Sequence, residues 1–201
     1  MERSLEKLTQ QLQRRLFVEL EASGRHAHVT KPQAEILFGH DLTPSRPLSQ
    51  PGQYLAQERV TLRTAKGEIK NVAVLGPCRK EAQVELSMTD AVSLGIKPPV
   101  RLSGDVKNSA PITVIGEKGT VELQEGAVVA QRHIHMTPED ASLQGVKNGD
   151  VVRLRTLTAR PVVLEQVAVR VSPDFRTYAH LDFDEANACG FKKGDLGMIL
   201  P

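Results

Sequence analysis

The 201-residue chain contains six histidines, and four of them form two His-x-His pairs, His26/His28 and His133/His135. Residues i and i+2 of a strand point to the same face, so each pair would present two imidazoles side by side. Imidazole is a good ligand for zinc and its neighbours in the transition series. A single pair means little, but two pairs in matching contexts point to metal; hydrogen-bonded structural histidines are the plainer alternative. His180, in Tyr178-Ala-His-Leu-Asp-Phe-Asp, falls on an expected strand before a helix cap. With His133 and His135 it would complete a three-histidine site that keeps open positions for substrate. His40 follows Gly39 in an expected turn and reads as solvated.

Two further residues lie in Leu75-Gly-Pro-Cys-Arg-Lys-Glu-Ala-Gln-Val-Glu-Leu-Ser. Glu85 falls inside an apolar strand, where a carboxylate is costly unless paired or bound to a cation. It is a candidate ligand, with a salt-bridged edge position as the ordinary alternative. Arg79 is either a surface charge or a bidentate clamp for phosphate, which the planar guanidinium suits. Cys78 is next to a cation that could lower its pKa. Adjacent strand side chains diverge, however, so a small buried thiol is the favoured reading. No Gly-x-Ser-x-Gly elbow, phosphate-cradling glycine loop or dinucleotide fingerprint occurs.

The elements that must position these residues are mostly strands. Val60–Thr64 and Ile69–Leu75 alternate around Lys66-Gly67, predicting a hairpin. Ile112–Ile115 with Val121–Leu123, and Val151–Arg155 with Val162–Val171, repeat the design. Arg25-His-Ala-His-Val-Thr returns 107 residues later (25 to 132) as Arg132-His-Ile-His-Met-Thr, each copy before an expected short helix, at Pro32–Phe38 and Pro138–Gln144. A helix ending in glycine, an apolar residue and lysine appears three times: Leu94-Gly-Ile-Lys, Gln144-Gly-Val-Lys and Cys189-Gly-Phe-Lys, as a left-handed C-cap requires. Leu5, Leu8, Leu12 and Leu16 predict an amphipathic helix over 1–16, either capping the fold or docking into a partner. Two related β-rich halves then follow, 17–105 and 106–201, meeting near Ser103–Pro111.

Bulk composition narrows the partners. Aromatics are 3% and the formal net charge is +2, so neither stacking platforms nor a basic footprint for nucleic acid is present. Two cysteines fit a reducing cytosol better than a disulfide framework. No apolar run approaches the roughly 20 residues that span a bilayer, and the N-terminus lacks a secretory core. These features predict a cytoplasmic protein without membrane or nucleic-acid partners.

With those residues in hand, the chain resembles the PduL family of phosphate acyltransferases, also called phosphate propanoyltransferases. The likeness runs from about Val18 to Leu200 through Ser23-Gly-Arg-His-Ala-His-Val-Thr, Leu48-Ser-Gln-Pro-Gly-Gln, Leu75-Gly-Pro-Cys-Arg-Lys, Gln83-Val-Glu-Leu-Ser, Arg132-His-Ile-His-Met-Thr-Pro and Val171-Ser-Pro-Asp-Phe. The resemblance implies two β-barrel domains with short capping helices and an active site at the domain seam. It implies two zinc ions per chain, one on His26, His28 and Glu85, the other on His133, His135 and His180. Arg79 would be the catalytic, phosphate-binding arginine. The implied reaction converts acyl-CoA, propanoyl or acetyl, and phosphate to acyl phosphate and CoA. A small homo-oligomer is the favoured assembly, and the likeness implies a bacterial microcompartment as a location, with the N-terminal helix as an encapsulation signal. Cys78 and His40 depart from the family pattern, in which a small residue and Pro or Gly are usual.

Overall fold

The computed structural model describes residues 2–200. The chain begins with α1 (Glu2–Leu16), β1 (Val18–Ala22), β2 (His26–His28), α2 (Lys31–Phe38), β3 (Pro44–Pro47), β4 (Tyr54–Arg63), β5 (Glu68–Gly76), β6 (Gln83–Leu86) and α3 (Met88–Leu94). It continues with β7 (Val100–Arg101), β8 (Ala110–Ile115), β9 (Thr120–Ala130), β10 (His133–Met136), α4 (Pro138–Gln144), β11 (Val151–Leu157), β12 (Val163–Val171), β13 (Tyr178–Leu181), α5 (Phe183–Cys189) and β14 (Leu196–Leu200). The three expected hairpins are β4–β5, β8–β9 and β11–β12. The protein is mainly β, with two closed six-stranded barrels and a few short helices. No helix among the described residues is long and apolar enough to cross a membrane.

The chain divides into a central unit, Gly24–Gln131, and a terminal unit made of residues up to Ser23 together with those from Arg132 onward. In the central unit β4, β5, β2, β6, β9 and β8 pair in a closed ring, with β3 and β7 added at β4 and β9. In the terminal unit β1, β13, β10, β12, β11 and β14 close the second barrel. This partition differs from the expected cut between 105 and 106. Ser103–Pro111 lies within the central unit, because β8 closes that barrel on β4 and β9. β1 leads directly into the His26 strand but pairs with β13 and β14 of the terminal barrel. Likewise β9 leads into the His133 strand but pairs with β6 of the central barrel. The strand before each His-x-His thus belongs to the other repeat's barrel.

Alternation along the strands fills each barrel. Val60, Leu62, Val72, Val74, Val84, Leu86, Ile112 and Val114 form the central core, closed by Leu37, Phe38 and Leu94 of the helices. Val18, Leu20, Ile134, Met136, Leu154, Val167, Val169 and Leu181 form the terminal core. Burying each such side chain contributes about 1.5–3 kcal/mol. Thr30, Ser87, Thr137 and Asp182 cap the helices that follow the site strands. Gly95, Gly145 and Gly190 end three of those helices at φ of 63°, 70° and 65°, a conformation that a Cβ disfavours.

The last turn of α1 is tied to α4. Arg14 pairs with Glu139 and Asp140 at 2.9 and 2.6 Å, and Gln144 Nε2 donates to the carbonyls of Arg14 and Phe17 at 2.8 and 3.1 Å, satisfying exposed helix-end acceptors. Leu12 and Leu16 of the expected leucine stripe are half exposed; the side chains of Leu5 and Leu8 lie outside the described residues.

Candidate active site

All three residues of β2 are buried. The strand runs antiparallel to β6 with His26 opposite Glu85, so both imidazoles and the carboxylate share one face. Glu85 Oε2 is 3.6 Å from His26 Nε2, and Oε1 is 4.0 Å from His28 Nε2. The other ring nitrogens face backbone carbonyls: His26 Nδ1 is 2.8 Å from the Gly24 oxygen, and His28 Nδ1 3.3 Å from that of Leu75. Donation there leaves the Nε2 lone pairs for the cluster. Burial opposes the ionisation of Glu85, but the charges of His26 and His28 outweigh it and hold the carboxyl well below the usual range. Burial likewise opposes charge on His26, yet Glu85 raises its pKa. His28 is pushed well down by burial, then by the charges of His26 and Arg79, which favours the neutral, ligating form.

The second cluster has the same frame. β10 runs antiparallel to β13 with His133 opposite His180. The ring centroids lie 4.6 Å apart for His133–His135, 4.9 Å for His133–His180 and 4.8 Å for His135–His180. Phe175 packs against His135, its ring centroid 4.1 Å away. In each trio the ligand atoms all lie within 4.8 Å of one another. Three nitrogen or carboxylate donors so grouped are a set that a metal ion can use. The structure therefore brings the six expected residues together as two groups able to hold a metal ion.

Arg79 sits in the loop after β5, where its backbone N–H donates to the Val29 carbonyl at 2.9 Å. Its guanidinium donates to Ser103 Oγ at 2.9 Å. Gln83 Nε2 donates to the same hydroxyl at 3.1 Å and to Glu85 Oε1 at 2.7 Å, and the Gly104 amide donates to Gln83 Oε1 at 2.7 Å. A hydrogen-bonded chain thus connects Arg79 to Glu85 through Ser103 and Gln83. Sequence reading missed both links. Gln83 carried a signal, since it is two residues before Glu85 on the same strand face; Ser103 carried none. Arg79 also lines a cleft of about 340 Å³ with Pro51, Gly52, Gln53, Gly76, Pro77 and Cys78. Cys78 is half-buried rather than buried, and its thiol is 3.4 Å from Asp41 Oδ1. Burial, the Asp41 hydrogen bond and the Asp41 charge raise its pKa, so it is a poor nucleophile. His40 is exposed as expected, with Nδ1 at 2.7 Å from the Asp41 carbonyl.

The phosphate propanoyltransferase family matches residues 19–192. A phosphate propanoyltransferase of Listeria monocytogenes is 49% identical over 198 residues, covering 98% of this chain and 93% of that protein. One of Clostridioides difficile is 46% identical, covering 98% and 95%, and one of Thermotoga maritima is 47% identical, covering 89% and 86%. The chain belongs to the phosphate propanoyltransferase family. It is an acyltransferase, and both clusters, Arg79, Gln83 and Ser103 fall inside the span that the family matches.

Proposed function

We propose that this phosphate propanoyltransferase relative converts propanoyl-CoA or acetyl-CoA and inorganic phosphate to acyl phosphate and CoA, reversibly, at a dinuclear zinc site. His26, His28 and Glu85 would hold one ion; His133, His135 and His180 would hold the other. The observation that carries the reading is the pair of three-donor clusters, one of them linked by hydrogen bonds to Arg79. Phosphate is already largely dianionic near neutral pH, so its attack on a thioester needs little general-base help. A phosphate oxygen forms the C–O bond, the C–S bond breaks, and the electron pair leaves on sulfur as thiolate.

Arg79 would bind the phosphate through two parallel N–H groups and fix its approach, which lowers the entropic barrier. The Ser103 hydroxyl orients that guanidinium, and Gln83 orients both Ser103 and Glu85. Zinc bound by three protein donors supplies positive charge and an open position that suits a thiolate sulfur. Residence in the cytosol or in a bacterial microcompartment belongs to the same proposal. Half-exposed Leu12 and Leu16 offer α1 to a partner, and co-localisation with a shell tests it.

The deciding experiment follows free thiol from acyl-CoA with and without phosphate, before and after chelation. Release that requires phosphate and is lost on chelation is the expected result. Release without phosphate would instead indicate a metal-dependent thioester hydrolase.

A further inference from the structure

The reciprocal strand exchange puts one specific residue against each third donor. β9 runs parallel to β6 with Val128 in register with Glu85. β1 runs parallel to β13 with Glu21 in register with His180. These are equivalent positions of the repeat, because Glu21 precedes His26 by five residues and Val128 precedes His133 by five (26 − 21 and 133 − 128). Val128 is fully buried. Glu21 Oε2 lies 3.2 Å from His180 Nδ1, and the Glu21 side chain is 35% exposed.

The two barrels therefore differ at a matched pair of positions, and the difference follows ligand chemistry. A carboxylate donor such as Glu85 has no ring tautomer to fix, and a second carboxylate beside it would repel it; valine does neither. A histidine donor has two ring nitrogens, and only a partner on one of them commits the other to a metal. We infer that Glu21 is a positioning residue for His180. It accepts a hydrogen bond from the His180 Nδ1–H, turns Nε2 toward His133 and His135, and gives the all-histidine cluster a nearby negative charge. The central cluster has its carboxylate as a direct donor, and the terminal one has it one bond further out. This inference rests on the proposal that the three histidines hold zinc. It adds that β1, from the opposite end of the chain, completes their site.

The test uses the full chain, stripped of metal and titrated with zinc against a chromophoric chelator. Wild type should bind two ions. Glu21→Ala should bind one ion about 10–100-fold more weakly and leave the other unchanged. Glu21→Gln, which keeps an acceptor oxygen without the charge, should recover part of that loss. With cobalt(II) as the probe, the visible spectrum of only one of the two ions should change. A merely structural role would move neither the one-site selectivity nor the spectrum. Wild-type affinity for both ions in Glu21→Ala overturns the inference. Should that variant fail to fold, wild-type affinity in Glu21→Gln overturns it equally. If wild type binds fewer than two ions, or His180→Ala still binds two, the metal reading itself falls and takes this inference with it.

Discussion

The central and terminal barrels share a frame but not a chemistry. Each places a His-x-His strand antiparallel to the strand that carries the third donor, with the first histidine opposite that donor. In each, an arginine before the pair reaches the carboxylate at the third position of the helix after the third donor's strand: Arg25 to Asp90 at 2.8 Å and Arg132 to Glu185 at 2.7 Å. Three equivalent positions then diverge. The third donor is Glu85 in one barrel and His180 in the other; the residue alongside it is Val128 or Glu21. After the adjoining strand, the amide that closes onto the residue following His-x-His belongs to Arg79 in the central barrel, on Val29, and to Ser172 in the terminal barrel, on Met136. Backbone pairing therefore preserved where the side chains stand, while their charge was free to specialise. The central barrel holds an anionic donor and a nearby cation. The terminal barrel holds imidazole donors and keeps its carboxylate one step away.

The sharpest way to break that comparison is to copy one ligand set into the other barrel. His180→Glu places a carboxylate against Glu21. Like charges about 4 Å apart repel by about 4 kcal/mol at an effective dielectric of 20, which turns the new carboxylate away from His133 and His135, so affinity for one zinc should fall by about 10–100-fold, and turnover with it. Adding Glu21→Val recreates the central pairing of Glu85 with Val128 and should restore much of the loss. Chelator competition on the two variants measures the difference. Equal affinities would show that the flanking residue does not matter to the donor.

A smaller effect is expected at the third divergent position. Arg79→Ala removes a charged hydrogen-bond donor, an interaction worth about 1.5–3 kcal/mol. The phosphate KM should therefore rise by at least about tenfold while two zinc ions stay bound, because the hydrogen bonds from Arg79 run to Ser103 and Gln83 before they reach Glu85. Unchanged phosphate kinetics would remove the arginine from the reaction and leave the barrels functionally more alike than their loops suggest.

Most of the frame was legible from local pattern. The His-x-His spacing placed two imidazoles on one face because a strand has period two, and Gly95, Gly145 and Gly190 marked helix ends because each needs positive φ. The six clustered residues were likewise found, since a buried glutamate and repeated histidines are rare enough to stand out. What local pattern could not show was pairing between distant strands. Hydrogen bonding to β13 and β6 places β1 and β9 each in the barrel that does not hold the His-x-His strand it leads into. For that reason the expected cut near 105 lies within the central unit, and nothing in the local sequence singles out Glu21. Ser103 was hidden for the same reason, since it comes from a loop far in sequence from Arg79 and Gln83.

The smallest expected effect concerns the paired clamps. Glu185 is one methylene longer than its counterpart Asp90, and it shares its helix start with Asp182, whose amide donates to Glu185 Oε2 at 3.1 Å. Burial and the charge of Asp182 raise its carboxyl to about 7, and Arg132 only partly offsets them. A folded carboxyl that titrates near 7 instead of near its ordinary 4.5 keeps its proton while the unfolded chain has already lost it. Stability is therefore fully present below about pH 4.5 and declines as pH rises toward 7, by about 1–3 kcal/mol in all. Glu185→Gln preserves the capping contact but cannot ionise, so melting temperatures measured from pH 5 to 8 should be flatter for the variant than for wild type. If both fall equally, the slope comes from other groups. The Arg132 clamp would then be an ordinary ion pair like that of Arg25, and the two barrels would differ only at their metal-facing positions.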